Sequence, residues 1–213
     1  FQGLTDKGIP TYLNEKGNLT STDLNFQNRT DNSYLIYEGP TEPTVTGSLG
    51  NELKWKNWRL NIFVTYSFGS YVRLDPVFSA RYNDLTSMTK EFKNRWMQAG
   101  DEKITSVPGI LPYRMYRDDS SLRIAYNAYN YTSNRTAKGD FIRMKEISLG
   151  YDFPRAMLQS TPFTNLSLKL QATNLFLIYA DKKLNGQDPE FVNAGGVAAP
   201  IPRQFTMTLK FGL

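Results

Sequence analysis

The sequence contains no cysteine and no histidine among its 213 residues. Without cysteine, the chain forms no disulfide and offers no thiolate as a nucleophile or metal ligand. Without histidine, it offers no imidazole ligand for zinc and no Ser–His or Cys–His catalytic pair. The sequence therefore predicts no enzyme activity, no catalytic residue, no cofactor and no metal site.

Two carboxylate pairs remain, Asp118 with Asp119 and Asp188 with Glu190. A glycosidase needs two acids placed across a cleft, whereas acids this close in sequence usually serve turns and solvation. We therefore interpret Asp188-Pro189-Glu190 as an element that shapes its own loop.

Long hydrophobic runs are also lacking. No stretch approaches 18 consecutive apolar residues and the mean hydropathy is −0.47, so the sequence predicts no transmembrane helix. This criterion does not exclude membrane-spanning strands, because the alternation of apolar and polar residues in such strands lowers the mean hydropathy. The net charge of +5 is modest and no Lys/Arg block is present, so nucleic acid is not a predicted partner. The chain opens at Phe1 without Met or a signal peptide, and we expect a fragment or a processed piece.

The chain does contain segments in which apolar and polar residues alternate, most clearly residues 203–213. Apolar side chains occupy one parity and polar side chains the other: Phe205, Met207, Leu209, Phe211 and Leu213 against Gln204, Thr206, Thr208, Lys210 and Gly212. A period of two residues indicates a β-strand whose faces meet different surroundings. Lipid outside and water inside a barrel produce this pattern, and so does a soluble sandwich with one buried face.

Two further alternating segments, 44–55 and 58–69, flank Lys56-Asn57. A two-residue turn suits this position, because asparagine tolerates the positive φ of tight hairpins. The hairpin then pairs Trp55 with Trp58, Leu53 with Leu60, Leu49 with Val64 and Val45 with Phe68, and it sets Tyr66 over Gly47. The turn and the alternation predict the same register.

The remaining long strands are predicted at 140–153, 164–178 and 203–213. In the first of these, the apolar parity switches between Met144 and Ile147, which predicts a β-bulge at Lys145-Glu146. Each of the five long strands has about 11 residues or more, enough to cross the apolar core of a bilayer when tilted. Five strands cannot close a barrel, so we expect the other strands to lie in another chain or in residues absent from this sequence.

Residues 70–139 interrupt the alternation. Met88, Phe92 and Trp96 recur at helical spacing, which predicts an amphipathic helix over 85–99. An aromatic and charged run follows, and it supplies the candidate residues for contact with a ligand or partner: Tyr113, Tyr116, Arg117, Asp118, Tyr129 and Tyr131. Such side chains bind sugars or peptides by stacking and bidentate hydrogen bonds, or they pack the loop against itself.

Aromatic residues near the strand ends are candidates for a lipid-facing girdle, as found where a barrel meets the membrane interface. They are Trp55, Trp58, Tyr66, Phe68, Phe205 and Phe211.

Several stretches form a recognisable set when they are taken together: Pro43–Leu49 leading to Trp55–Trp58, Phe141–Tyr151, Thr173–Phe176, Asp188–Glu190 and Ile201–Phe205. This set resembles the C-terminal part of SusC/RagA-like TonB-dependent outer-membrane transporters of Bacteroidetes. Their order and spacing fit this family over roughly residues 30–213. The sequence departs from the pattern at Leu213, where outer-membrane barrels often end in Phe.

The resemblance implies an all-β fold, the C-terminal strands of an antiparallel transmembrane β-barrel of about 22 strands, with long extracellular loops and one short loop helix. It implies import of oligosaccharides or oligopeptides across the outer membrane of a Gram-negative bacterium. The implied partners are a SusD-like surface lipoprotein, the N-terminal barrel and plug portion, TonB acting through that plug, and outer-membrane lipid.

If the C-terminus is periplasmic, as in barrels of this type, residues 1–43 form an extracellular loop region and 44–213 form the barrel part. The long loops 70–139 and 180–200 are then extracellular, and the turns 56–57 and 154–163 are periplasmic. Two other classes stay open on the sequence: a soluble β-sandwich acting as a carbohydrate-binding or adhesin module, and a plain porin.

Overall fold

The computed structural model describes residues 1–25, 33–78, 87–192 and 200–213. Parts of the predicted loops 1–43, 70–139 and 180–200, and the first residues of the predicted helix 85–99, lie outside these ranges. The chain divides into two compact units. One comprises Phe1–Glu38 and Arg73–Ala137, and the other comprises Gly39–Val72 and Lys138–Leu213.

In chain order the strands are β1 (Gly3–Leu4), β2 (Pro10–Leu13), β3 (Leu19–Thr20), β4 (Val45–Trp55), β5 (Trp58–Phe68), β6 (Tyr71–Arg73), β7 (Thr136–Lys138), β8 (Phe141–Asp152), β9 (Asn165–Ala180) and β10 (Gln204–Gly212). The α-helices are α1 (Tyr113–Asp118), α2 (Ser120–Tyr129) and α3 (Arg155–Leu158). No helix in the described parts of the chain is both long enough and apolar enough to span a membrane.

The second unit is built on one antiparallel sheet with the strand order β10-β9-β8-β5-β4. These five strands are the long alternating segments of the sequence, and each one pairs with the next in chain order. This is the meander of an up-and-down sheet. In the described residues, β4 and β10 each have a neighbour on one side.

The predicted hairpin is confirmed. β4 and β5 pair from Trp55–Trp58 at the turn to Val45–Phe68 at the far end, in the predicted register. Lys56 is the turn residue with positive φ, at 53°, and Asn57 is not. The sequence had favoured asparagine for that conformation, but a lysine with its side chain in solvent adopts it here.

The predicted bulge is confirmed at Lys145. Val64 of β5 faces Met144 while the preceding Phe63 faces Glu146, so the register skips Lys145. The extra residue returns the apolar side chains after it to the face they held before it. The pairing of β8 with β9, its other neighbour, also shifts register, and Asn174 of β9 has a positive φ of 54° there.

The first unit contains two antiparallel pairings of short strands, β1 with β2 and β2 with β3, together with α1 and α2. The inner face of α2 is formed by Leu122, Ala125, Tyr126 and Tyr129, all of them buried. Their spacing of three and four residues is that of an amphipathic helix. The α2 helix begins at Asp119, whose carboxylate accepts the N–H groups of Ser121 and Leu122.

The prediction of an amphipathic helix over 85–99 was wrong in its described part. A 3₁₀ helix spans only Lys90–Asn94, and Arg95 is extended. One tertiary and one local hydrogen bond end it: the N–H of Trp96 donates to the Val107 carbonyl at 2.9 Å, and the carboxylate of Asp101 accepts the N–H of Met97 at 3.0 Å. These two bonds replace those that would continue the helix. The α-helices of this unit lie instead at 113–129, within the tyrosine-rich run.

Candidate functional site

The five-stranded sheet has one continuous apolar face. The register places side chains of neighbouring strands on this face in rows, such as Phe211–Leu166 and Leu209–Leu168 on β10 and β9, and Leu60–Leu149 on β5 and β8. Many of these side chains are exposed, among them Leu49 at 69% and Phe205 at 76%. Soluble monomers seldom expose a contiguous apolar surface that runs across several strands.

Aromatic side chains cluster at the end of this face next to the Lys56-Asn57 turn. The Trp58 ring is 4.6 Å from that of Tyr151, and Tyr151 is 5.0 Å from Phe153, measured between ring centroids. Across the sheet, Phe163 and Phe211 are 5.4 Å apart. Trp55, Trp58 and Phe211 were candidates from the sequence, whereas Tyr151, Phe153 and Phe163 were missed. Tyr151 lies on the apolar parity of β8, and Phe153 continues this parity one residue past the end of the strand. That parity was the signal that could have identified both as candidates for the girdle.

A second aromatic group lies toward the other end of the sheet. Tyr66 and Phe68, at the end of β5, stack with ring centroids 5.7 Å apart, and Phe205 is the second residue of β10. Trp58 and Phe68 are ten residues apart on β5, or about 33 Å along the strand. In a barrel strand tilted by about 40°, this length projects to about 25 Å, the height of the apolar band.

The opposite face of the sheet is polar, and several of its charges are paired. Arg59 contacts Asp152 at 2.7 Å, and Lys54 contacts Glu52 at 2.8 Å. Paired charges of this kind suit a wet surface, because each side chain keeps access to water.

A more buried charge cluster lies on the same face. The Arg143 side chain, 8% exposed, pairs with Asp188 and lies with its Nε 3.2 Å from Glu190 Oε2. The residues Asp188-Pro189-Glu190 thus contact β8, beyond the local loop-shaping role inferred for them. Within the described ranges, no three acidic side chains gather closely enough to hold a metal ion.

Tyr129 and Tyr116, two of the candidate contact residues, belong to the interior of the first unit. Tyr129 is 1% exposed and packs with Val77 and Val107, which is the second of the two roles that the sequence left open, packing of the loop against itself. Burial raises the pKa of its hydroxyl, an effect that nearby Arg135 partly opposes. Tyr116 is half-buried and packs against the Leu111–Leu122–Tyr126 cluster.

The other candidates lie at the surface. Tyr113 and Tyr131 are exposed, the latter at 66%. Arg117 and Asp118 are also exposed and pair with each other at 2.6 Å. The structure therefore separates the candidates into two packed rings and four surface side chains.

The first unit contains a cavity of about 560 Å³ beside the outer face of α2. Its lining includes Tyr12, Tyr34, Glu38, Arg73, Asn127 and Tyr131. The Arg73 guanidinium lies over the Tyr131 ring at 5.6 Å. Tyr12 donates its O–H to the Ala125 carbonyl at 2.6 Å, and burial raises the pKa of this hydroxyl.

No family model matches the chain. Two receptors of Formosa agariphila are similar to it: TonB-dependent receptor P3, 26% identical over 152 residues, and TonB-dependent receptor P39, 27% identical over 158 residues. The matches cover 71% and 72% of this chain but 13% and 14% of the receptors, so the chain spans a small part of their length. The resemblance to TonB-dependent receptors that the motifs predicted is confirmed, and these relatives are named as receptors, not as enzymes.

Solved structures of larger chains share the fold. A structure of the RagAB peptide importer in the open-open state matches with a TM-score of 0.64 and 19% identity, over 99% of this chain and 21% of that one. A second structure, of the RagAB peptide transporter, matches with a TM-score of 0.63 and 20% identity, over 98% and 21%. The structure thus has the mostly-β architecture expected from the sequence, and the two solved structures share its fold.

Proposed function

We propose that this chain is the C-terminal wall of a TonB-dependent transporter in the outer membrane of a Gram-negative bacterium. The five-stranded sheet is a segment of a transmembrane β-barrel of about 22 strands. Its apolar face contacts lipid, and its polar face contacts the lumen. The exposed apolar face, which runs across all five strands, is the observation that carries the proposal.

The two aromatic groups support this placement. Tyrosine and tryptophan favour the interface between hydrocarbon and water, because their rings are apolar and their N–H or O–H groups are polar. One group sits at the short Lys56-Asn57 turn, and the spacing between the groups fits one bilayer. In this arrangement the short turns are periplasmic and the longer connections are extracellular.

The transporter takes up oligosaccharides or oligopeptides and works with a SusD-like surface lipoprotein. The similarity to receptors named TonB-dependent supports energy coupling through TonB, and the shared fold with the RagAB structures supports a two-component importer. The exposed side chains Tyr113, Arg117, Asp118 and Tyr131 are the candidates for contact with cargo or with the lipoprotein.

The test uses the full-length protein in its own cells. Deleting the gene should abolish growth on one class of nutrient, either a defined oligosaccharide or a defined oligopeptide supplied as sole source. The protein should fractionate with the outer membrane and should migrate faster on an unheated gel than on a heated one, as folded barrels do. Recovery in the soluble fraction would overturn the proposal and favour the β-sandwich module. Outer-membrane location with unchanged growth on both nutrients would overturn the transport role and retain the barrel.

A further inference from the structure

Arg143 joins the sheet to a distant part of the chain. Its neighbours in β8, Ile142 and Met144, belong to the apolar face, so the Arg143 side chain projects from the polar face. There it pairs with Asp188, 45 residues further along the chain, and lies near Glu190. Asp188 also accepts the N–H of Glu190 at 3.1 Å, which holds both acids in one turn.

A second attachment holds the start of the same segment. Asp181 accepts the N–H of Lys138 at 2.9 Å and the N–H of Lys183 at 3.0 Å. A 3₁₀ turn follows, and its last residue, Leu184, is 1% exposed. The segment 181–192 is therefore attached at its beginning by Asp181 and near its end by the two acids.

The Arg143 cluster differs from the other ion pairs of the polar face in burial. Arg59 and Asp152 are both 48% exposed and connect neighbouring strands. The side chains of Arg143 and Asp188 are 8% and 11% exposed and connect a strand to a loop. An exposed pair contributes little, whereas removing one partner of a buried pair leaves a costly unpaired charge.

We propose that Arg143 is a positioning residue that holds residues 181–192 as a fixed strap on the polar face of the sheet and so limits the size of solute that passes along this face. The second half of this statement rests on the proposed function, in which the polar face lines the lumen. When Arg143 is lost, the two carboxylates regain water by moving away from the sheet. The segment is then held by Asp181 alone, and its detachment from the sheet exposes Leu184 to solvent.

A cysteine reporter tests the strap directly, since this sequence has no cysteine of its own. Leu184→Cys places a thiol at a position that is buried while the strap is seated. The reporter is introduced into the full-length protein, which is purified in detergent and reacted with a polar maleimide. Mass spectrometry of the peptide that contains residue 184 gives the labelling rate.

Four further changes are made in the reporter protein. Arg143→Ala removes the buried cation. Asp188→Asn with Glu190→Gln removes the carboxylates and leaves every strand residue in place. Arg143→Asp with Asp188→Arg reverses the pair. Arg59→Ala is the matched control, because it removes an arginine of the same face that pairs within the sheet.

We expect labelling to be at least about tenfold faster in Arg143→Ala and in the double carboxylate variant, because local opening follows the loss of a buried partner. The reversed pair should return the rate toward that of the unaltered strap. Arg59→Ala should stay within about twofold of the reporter protein alone. Cells carrying Arg143→Ala should also grow on longer oligomers of the nutrient identified by the growth test than cells with the unaltered protein do.

The outcomes separate the two proposals. An unchanged labelling rate in both Arg143→Ala and the double carboxylate variant overturns the strap. Faster labelling with no change in the longest oligomer that supports growth overturns its role in limiting solute size. Absence of the protein from the outer membrane overturns the proposed function, while the labelling of the purified protein still decides whether the strap exists.

Discussion

The hydroxyl group of Tyr66 lies over Gly47, its partner on the neighbouring strand, where a Cβ atom would be 2.4 Å from the hydroxyl oxygen. Gly47→Ala should therefore displace the Tyr66 ring and destabilise the folded sheet by about 1–3 kcal/mol, as overpacking does. Heat denaturation of the full-length protein, followed by the mobility of its folded form on gels, measures the loss.

Gly150→Ala is the matched control for this prediction, because the nearest atom to a Cβ at Gly150 is 3.8 Å away. Replacing Tyr66 by Leu in the Gly47→Ala protein should recover part of the loss. Equal denaturation temperatures for the two alanine variants would contradict the close contact as the cause.

Leu49 and Ser48 test which face of the sheet meets lipid. Leu49 is exposed on the apolar face midway along β4, and Ser48 next to it is exposed on the polar face. Leu49→Arg should cost about 2–4 kcal/mol of folding free energy near the bilayer midplane and reduce the assembled fraction, whereas Ser48→Arg should be tolerated. The measurement is the amount of folded protein in the outer membrane.

In a soluble module the same exposed leucine would accept arginine without loss. Equal abundance of the Leu49→Arg and Ser48→Arg proteins in the outer membrane would thus contradict the prediction that this face contacts lipid. Thr65 is a poorer control than Ser48, because it lies opposite Arg143 and an arginine there would add repulsion.

Tyr129 and Tyr131 are two residues apart and should behave differently. Tyr129 is buried, so Tyr129→Ala should cost about 3–5 kcal/mol and lower the abundance of the protein. Tyr131 is exposed, so Tyr131→Ala should change stability by less than about 0.5 kcal/mol.

Uptake assays complete the comparison. If Tyr131 contacts cargo or the lipoprotein, Tyr131→Ala should weaken uptake at normal abundance. Normal uptake in Tyr131→Ala cells would remove this residue from the candidate contact surface.

Asp119 should make α2 sensitive to acid. Hydrogen bonds from the Ser121 hydroxyl and the Leu122 N–H hold the pKa of this carboxyl below its usual range. Because the folded-state pKa is the lower one, the cap contributes its full stability above the unfolded-state pKa and loses it as the pH falls through the folded-state pKa. The protection of the first amides of α2 against hydrogen exchange, measured relative to the intrinsic exchange rate at each pH, should therefore fall at acid pH.

Asp119→Asn is the control for the charge. Asparagine also caps helices, so this variant should keep protection at neutral pH and lose the acid dependence. An acid dependence of α2 that persists in Asp119→Asn would assign the effect to another group.

The sequence by itself determined the strands of the sheet and much of their register. Alternation with a period of two is local, and a register shift by one residue would move every apolar side chain of a strand to the polar face. With the turn at Lys56-Asn57, therefore, only one register of β4 against β5 keeps the apolar side chains of both strands on one face. The parity switch near Lys145 had one simple explanation, a bulge, for the same reason.

Helix position was decided by tertiary contacts. The pattern of Met88, Phe92 and Trp96 favoured a helix, but the N–H of Trp96 donates to the Val107 carbonyl instead of to a carbonyl of the preceding turn. The helical spacing of Leu122, Ala125, Tyr126 and Tyr129 was present in the sequence, with Asp119 ahead of it as a cap. The sequence left two roles open for these tyrosines, a contact surface or packing within the loop, and their helical spacing was the signal that favoured packing.

The roles of the charged and aromatic side chains away from the strands were also decided by tertiary structure. Nothing local distinguishes Tyr129, enclosed in a core, from Tyr131, open to solvent. Nothing local connects Arg143 to Asp188, because the pair forms only after β9 has crossed the sheet and the chain has turned back at Asn185 and Gly186. Periodicity reports which face of a strand a side chain occupies, whereas burial and ion pairing depend on what the rest of the chain brings to that face.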